Sequence, residues 1–349
     1  MPFESATISK CWHSYPLRVV FFALMWFLGI TAAHIYLNSD HEERPVLKMG
    51  YMPVITNLAA PILDAVSAES PSQIRFKAIK FASFAEMAEA LRNEEIQAAF
   101  IIAPLSIVLH QQGEDVRVVY IGNRHESTMV VRKDLAVSSV TDLAGHTVAV
   151  PMRYSGHNLA MLEMAANAGI GDQIKIVEMN PPDMASALAA GSLDAYFVGE
   201  PFAAQTLKYG ASKLFFYVEK IWPDFICNLL LVKQSYIDAY PERVQLLVEG
   251  AARSGIWAQS HIPQAVQIAS KYWGQPADVV EYALTTPKNR IVFNRFLPSE
   301  EELNKMAKMM VTFGLTEKDD VKGLVADRFA KRVDLTNIDD AGSVLKSPK

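Results

Sequence analysis

The chain has 349 residues, half of them hydrophobic and a fifth charged, with a formal net charge of −5. That apolar share supports a large core and excludes a disordered or low-complexity chain, and the length suggests two lobes of about 100–150 residues each. A mildly acidic balance without a basic stripe counts against a nucleic-acid partner. Two cysteines, Cys11 and Cys227, exclude a disulfide framework and a four-cysteine metal site.

Residues Val19–Ala33 read VVFFALMWFLGITAA, with Lys10 and Arg18 before them and Asp40, Glu42 and Glu43 after them. Positive before and acidic after is the orientation that sends the following chain out of the cytoplasm. Residues 1–40 are therefore a signal peptide or an N-terminal membrane anchor. Cleavage before His34 would follow the small residues Thr31-Ala32-Ala33, and an anchor would extend to Leu37. The export reading makes the protein periplasmic, either soluble after cleavage or tethered to the inner membrane. Cys227 then has no partner in the mature chain and reads as a small core hydrophobe.

Strands are expected at Val46–Gly50, Ile74–Ile79, Ala98–Ile102 and Val116–Ile121. Helices are expected after Thr56-Asn57, over Phe84–Asn93 and from Pro104 over Leu105–Gln111. A second unit repeats the order. A strand begins near Met129, a short helix follows, and strands recur at Thr147–Pro151, Ile174–Met179 and Leu193–Val198. Helices fall at Leu159–Asn167, from Pro181 to Ala190, and at Gln205–Tyr209. From Ile226 a strand (ICNLLLVK) precedes a helical return to Met310, interrupted at Arg290–Pro298. Strand–helix alternation of this kind indicates an α/β fold with ligands at the carboxyl ends of its strands. The expected organisation is a first lobe over 45–130, a second over 131–226, a return to the first over 227–332, and a loosely ordered polar tail over 333–349. The chain is expected to cross between lobes at Ser127–Arg132 and Cys227–Leu231.

Several of these stretches resemble the nitrate/sulfonate/bicarbonate-type solute-binding proteins of ABC importers, a group that also includes taurine and thiamin-pyrimidine binders. They are GYMPVITNLAAPIL, SSVTDLAGHTVAVP, SGHNLAMLEMAANAGI and NPPDMASALAAGSLDAYFVGEPFAA. The resemblance covers Val46 to Arg332. It implies a type II periplasmic-binding fold, with two α/β lobes around a hinged ligand cleft. It also implies capture of a small ion or polar organic ligand for an inner-membrane ABC permease. The alternative is a membrane-tethered ligand sensor or accessory protein of the same fold. Nitrate and bicarbonate members tend to carry a lysine and a histidine after the Ile-Trp pair. Here Pro223 and Asp224 stand in that region, which counts against those two ligands.

A cleft of this kind needs polar groups at facing helix starts, where free N–H groups favour an anion. The candidate ligand contacts are Tyr51, Thr56, Asn57, Ser106, Arg153, Ser155, Gly156, His157, Glu200, Trp222 and Asn228. Thr56, Asn57 and Ser155 would equally serve as helix caps. Glu200, between an apolar strand and a proline, would pair with Arg153 or Lys208 or accept from a ligand. The loop Arg153–Asn158 is expected to face Tyr51–Asn57, with Glu200 on the same floor. No Walker loop, G-x-S-x-G elbow or H-E-x-x-H pair occurs. The expectation is a monomeric binding protein, not an enzyme, with no metal or cofactor.

Overall fold

The computed structural model describes residues 15–38, 44–69 and 72–345. Lys10, Cys11, Asp40, Glu42, Glu43 and the last four residues of the expected tail lie outside them. The chain divides into two compact units, Met1–Arg44 and Pro45–Lys349.

Among the described residues of the first unit is the helix Tyr15–Asn38, 24 residues long. At 1.5 Å per residue it extends about 36 Å, against about 30 Å for a bilayer's hydrocarbon core. Arg18–Tyr36 is long and apolar enough to cross a membrane. Its large side chains stand open, Trp26 and Phe27 among them. The helix is compatible with a signal peptide or a tether.

The second unit is built on two five-stranded mixed sheets. The first contains β1 (Val46–Tyr51), β2 (Arg75–Lys80), β3 (Ala98–Ile102), β4 (Val116–Ile121) and β10 (Asn228–Lys233), in the order β2-β1-β3-β10-β4. The second contains β5 (Ser127–Arg132), β6 (Thr147–Val150), β7 (Lys175–Glu178), β8 (Ala195–Gly199) and β9 (Ser212–Tyr217), in the order β7-β6-β8-β5-β9. In each sheet three strands lie side by side in parallel, and the far edge strand, β4 or β9, runs the same way. One antiparallel strand then follows, β10 or β5, set between the third parallel strand and the edge.

The pleat sends alternate residues to opposite faces. Along β3, Ala98 and Phe100 enter one apolar cluster, while Ala99 and Ile101 enter another. Along β8, Ala195 and Phe197 enter a third cluster, whereas Tyr196 and Val198 join the one that holds Ala99 and Ile101. One apolar cluster therefore runs continuously from the first sheet to the second. Local chemistry fixes the helix starts. Ser83 accepts from the Glu86 N–H at 3.2 Å, Ser155 accepts from Asn158 at 3.1 Å, and Pro104 and Pro181 stand in first turns.

Three expectations need correction. The strands expected to cross between lobes lie within the sheets, because β5 pairs on both sides with β8 and β9, and β10 with β3 and β4. The chain passes between sheets just before each of them, over Gly122–Glu126 and over Val218–Cys227. The strand β9, SKLFFY, was not anticipated. It is an edge strand with Leu214 exposed, so its apolar run does not alternate cleanly. The tail is not loosely ordered as far as Leu345. Buried Arg253 donates to the carbonyls of Asp334, Thr336, Asn337 and Ser343, and Val344 enters the core. Those acceptors are backbone groups, which composition does not reveal.

Candidate functional site

The seam between the two sheets buries a group of polar side chains beside the shared apolar cluster. The turn Ile55–Asn57 follows β1 and touches the second lobe directly, since the Ile55 N–H donates to the Glu200 carbonyl at 2.8 Å. Thr56 lies against the first crossing. A Cβ on Gly122 would stand 2.1 Å from the Thr56 carbonyl oxygen and 2.7 Å from its hydroxyl, so only glycine admits this approach. Asn57 donates to the Met52 carbonyl at 3.0 Å and accepts from Asn228 at 2.8 Å. The Gly122 N–H donates to the Asn228 carbonyl. Thus Thr56, Asn57, Asn228 and both crossings form one group.

The crossings are also bound to each other. Arg124 pairs antiparallel with Ile226 and with Val292. Each crossing holds one non-glycine residue in the left-handed region, His125 at φ 68° and Asp224 at φ 66°. The Asp224 N–H donates to His125 Nε2 at 3.3 Å. The Asp224 carbonyl accepts from Arg124 at 2.5 Å, its carboxylate pairs with Arg295, and Arg124 bridges to Glu302 at 2.8 Å. Left-handed backbone costs about 1–2 kcal/mol per L-residue and persists where surroundings over-determine it.

On the second lobe, Ser155 caps the helix Gly156–Asn167. A Cβ on Gly156 would meet the Phe225 ring at 2.7 Å, so the glycine lets that ring close over the helix start. His157 is buried edge-on to Phe197 at 4.9 Å and Phe225 at 5.4 Å. Trp222, half-buried, stands edge-on to Phe225. Burial pulls the His157 pKa down to about 3, so the ring is neutral. The Ser127 hydroxyl bonds Glu126 at 3.1 Å and His157 Nε2 at 2.9 Å. The other ring nitrogen, Nδ1, is buried without a hydrogen-bond partner.

Glu200 is placed otherwise than expected. Its backbone carbonyl faces the first lobe, but its carboxylate turns into the second. There it accepts from the Thr128 hydroxyl at 2.6 Å and the Ala204 N–H at 2.8 Å. Its charged neighbour is Arg290, at 3.9 Å, rather than Arg153 or Lys208. Glu126 accepts from the Glu200 N–H at 2.7 Å. Burial raises both carboxyl pKa values, and Glu126 reaches about 7 with Glu200 a like charge beside it.

Three other candidates fall outside this group. Tyr51 is buried toward the first core and donates to the Tyr272 carbonyl at 3.3 Å. Ser106 donates back to Ala103 within its own helix. Arg153 is exposed and stacks over Tyr154. The apolar residues flanking the two loops expected to face each other, Met52 and Val54 on one, Met152, Tyr154 and Leu159 on the other, belong to the shared cluster.

Sequence reasoning missed Asn123, Glu126, Thr128 and Arg290. Buried polar side-chain atoms without a hydrogen-bond partner include Thr56 Oγ1, both amide atoms of Asn123 and His157 Nδ1. Each such orphan costs about 1–3 kcal/mol, so a native protein keeps few without a reason. A polar residue such as Asn123 directly after an apolar strand was the available signal. No cluster of three metal-ligating side chains occurs among the described residues.

Two α/β lobes joined by two crossings, with helix starts and orphaned polar groups at their seam, define a two-lobed cleft protein. The chain belongs to the NMT1-like family, whose model matches residues 40–271. A putative aliphatic sulfonates-binding protein of Bacillus subtilis (strain 168) is 23% identical over 309 residues, covering 84% of this chain and 90% of the relative. The taurine-binding periplasmic protein of Escherichia coli (strain K12) is 27% identical over 186 residues, covering 52% of this chain and 55% of the relative. Among solved structures, the periplasmic nitrate-binding protein of Synechocystis PCC 6803 matches with a TM-score of 0.75 at 14% identity. That match covers 88% of this chain and 90% of the other. The alkanesulfonate-binding protein of Xanthomonas axonopodis pv. citri, bound to MOPS, matches with a TM-score of 0.68 at 18% identity, covering 82% and 99%. These structures share the fold.

Proposed function

We propose that this protein is the extracytoplasmic solute-binding component of an ABC importer. It captures a small polar ligand between its lobes and presents it to the permease, with no chemical step. The observation that carries the reading is the set of orphaned polar groups on segments that meet at the seam: Thr56 on the turn, Asn123 on the crossing and His157 at the facing helix start. A ligand bearing both donors and acceptors would satisfy them. Closure then follows from differential affinity, because a ligand that bonds both lobes stabilises only the state in which they meet. The relatives' names support a sulfonate, taurine or nitrate-like ligand class.

The helix Tyr15–Asn38 continues five residues beyond the small-residue cleavage site at Ala33. Retained, it would be a tether, and a membrane-bound sensor or accessory protein is the second reading. Thermal unfolding against taurine, alkanesulfonates, amino-pyrimidines, nitrate and bicarbonate tests the first. A true ligand at about 100 times its Kd stabilises the fold by about 2.7 kcal/mol. No response across that panel would contradict solute binding of this class.

A further inference from the structure

Arg290 lies in the loop between the helices Ala277–Thr285 and Glu300–Thr312. The loop is fastened to the first lobe. The Ile291 carbonyl accepts from Gln259 at 3.2 Å, and the Phe293 ring packs against Gly255, both on the helix Pro241–Ser260. Phe296 stacks on Tyr120 of β4.

The Arg290 side chain nevertheless ends inside the second lobe. Its Nε donates to both carboxylate oxygens of Glu219, at 3.2 and 3.3 Å. Nη1 donates to the Thr128 hydroxyl at 3.0 Å, and Nη2 donates to the Ser127 carbonyl. The guanidinium stands 4.1 Å from the centre of the Tyr217 ring. One side chain thus holds β5, the end of β9 and the turn Val218–Lys220, with Glu200 at 3.9 Å.

These contacts lead to the seam. Ser127, whose carbonyl Arg290 holds, bonds His157 through its hydroxyl. Thr128, which accepts from Arg290, donates to Glu200, whose carbonyl accepts the Ile55 N–H. A guanidinium suits this task because its donors lie in one rigid plane, so satisfying them fixes an orientation as well as a distance. Its charge matters equally. Glu200 faces it from the second lobe and Glu126 and Glu219 from the two crossings, with Tyr217 and His125 nearby, and the first two of these acids are buried. Withdrawing the cation would leave those acids uncompensated, which makes a buried pair costly to part.

We infer that Arg290 is an interlobe latch, a positioning residue that holds the second lobe where Ile55 meets Glu200 and so sets how often the lobes part. The role rests on the reading of the seam as a ligand cleft, but its first test needs no ligand.

That test is hydrogen exchange followed by mass spectrometry on the full chain in detergent micelles, comparing wild type with Arg290→Gln, Arg290→Lys and Glu219→Gln. In Arg290→Gln, exchange should accelerate at least tenfold in peptides covering Ile55–Leu58 and Glu200–Ala204. Peptides from the interior of β1 and β6 should keep their rates. Lysine restores the charge without the fork, so Arg290→Lys should fall between the two. Glu219→Gln should show the same pattern more weakly, and it carries the comparison if Arg290→Gln does not fold. Uniform acceleration across both sheets would make Arg290 a general stabiliser and overturn the latch, as would unchanged exchange at Ile55–Leu58. A second arm titrates taurine and nitrate into the same proteins by thermal shift. If neither moves wild type, the cleft reading loses its support from these probes, while the exchange pattern still decides the latch.

Discussion

The sheets and the seam obey different rules. In the sheets the central strands are buried apolar runs, and β10 plays in the first the part that β5 plays in the second. Both are antiparallel strands entering beside the third parallel strand, yet one arrives after the whole second lobe and the other before it. That exchange of order forces the two connecting segments to lie side by side. The sheets keep a dry apolar interior, whereas the seam collects Asn57, Asn123, Glu126, Ser127, Thr128, His157, Glu200, Asn228 and Arg290, all buried. The lobes hold their own shape by packing, and at the seam directional polar contacts add a defined orientation to the apolar cluster that both lobes share.

The largest expected effect is on the sheet side. Phe197→Ala removes a fully buried ring that packs on His157, Phe216 and Phe225. Denaturant unfolding should show a loss of about 3–5 kcal/mol. A loss below about 1 kcal/mol would mean the second lobe is not held by this cluster.

Next comes pH, which acts at the seam through Glu126 and His157. Glu126 has a folded pKa near 7, above its ordinary value of 4.5, so the folded state binds the extra proton between those limits. Its contribution to stability is complete below about pH 4.5 and is lost as pH rises through 7. His157, held near 3 against 6.5, does the reverse, and its contribution is complete above 6.5 and lost as pH falls toward 3. Each arm has a limiting slope of about 1.4 kcal/mol per pH unit, so the two oppose one another between about 4.5 and 6.5. Relative to wild type, urea midpoints measured from pH 4 to 9 should rise more steeply between about pH 4.5 and 7 in Glu126→Gln and fall between about pH 4 and 6.5 in His157→Gln, because each substitution unmasks the opposing arm. Parallel curves for all three proteins would contradict this account of the seam.

A smaller effect is expected for Asn228→Ala. The Asn57 side-chain oxygen, Oδ1, would lose its donor in a buried setting, a cost of about 1–3 kcal/mol by thermal unfolding. Smallest is the helix cap. Ser155→Ala should cost about 1 kcal/mol, and Ser155→Gly a few tenths. A Ser155→Ala loss much above 2 kcal/mol would assign that hydroxyl a role beyond its bond to Asn158.

The sheets were legible because apolar strands such as Ala98–Ile102 and Val116–Ile121 announce themselves by run length and by the turn residues around them. The edge strand β9 was not, since one face of SKLFFY meets solvent and its pattern resembles a loop with aromatic residues. At the seam, Thr56, Asn57, His157 and Asn228 were visible as small polar groups beside strand ends. Arg290 was invisible, because nothing in Asn289-Arg290-Ile291 indicates that its side chain reaches segments about 70 and 160 residues earlier. The direction of Glu200 was equally hidden: the residue was rightly placed at the end of β8, but which lobe its carboxylate faces is a property of tertiary packing.

The central claim, that a ligand is gripped at this seam, is tested most directly at Thr56. Its hydroxyl is buried without a partner, and valine keeps the shape while removing that oxygen. Isothermal titration of wild type and Thr56→Val with whichever panel compound stabilises the protein should show affinity falling about tenfold or more in the variant. The unliganded variant should be as stable as wild type or slightly more so, because an orphaned polar group has been removed. Equal affinity in the two proteins would contradict a ligand held between the turn Ile55–Asn57 and the second lobe.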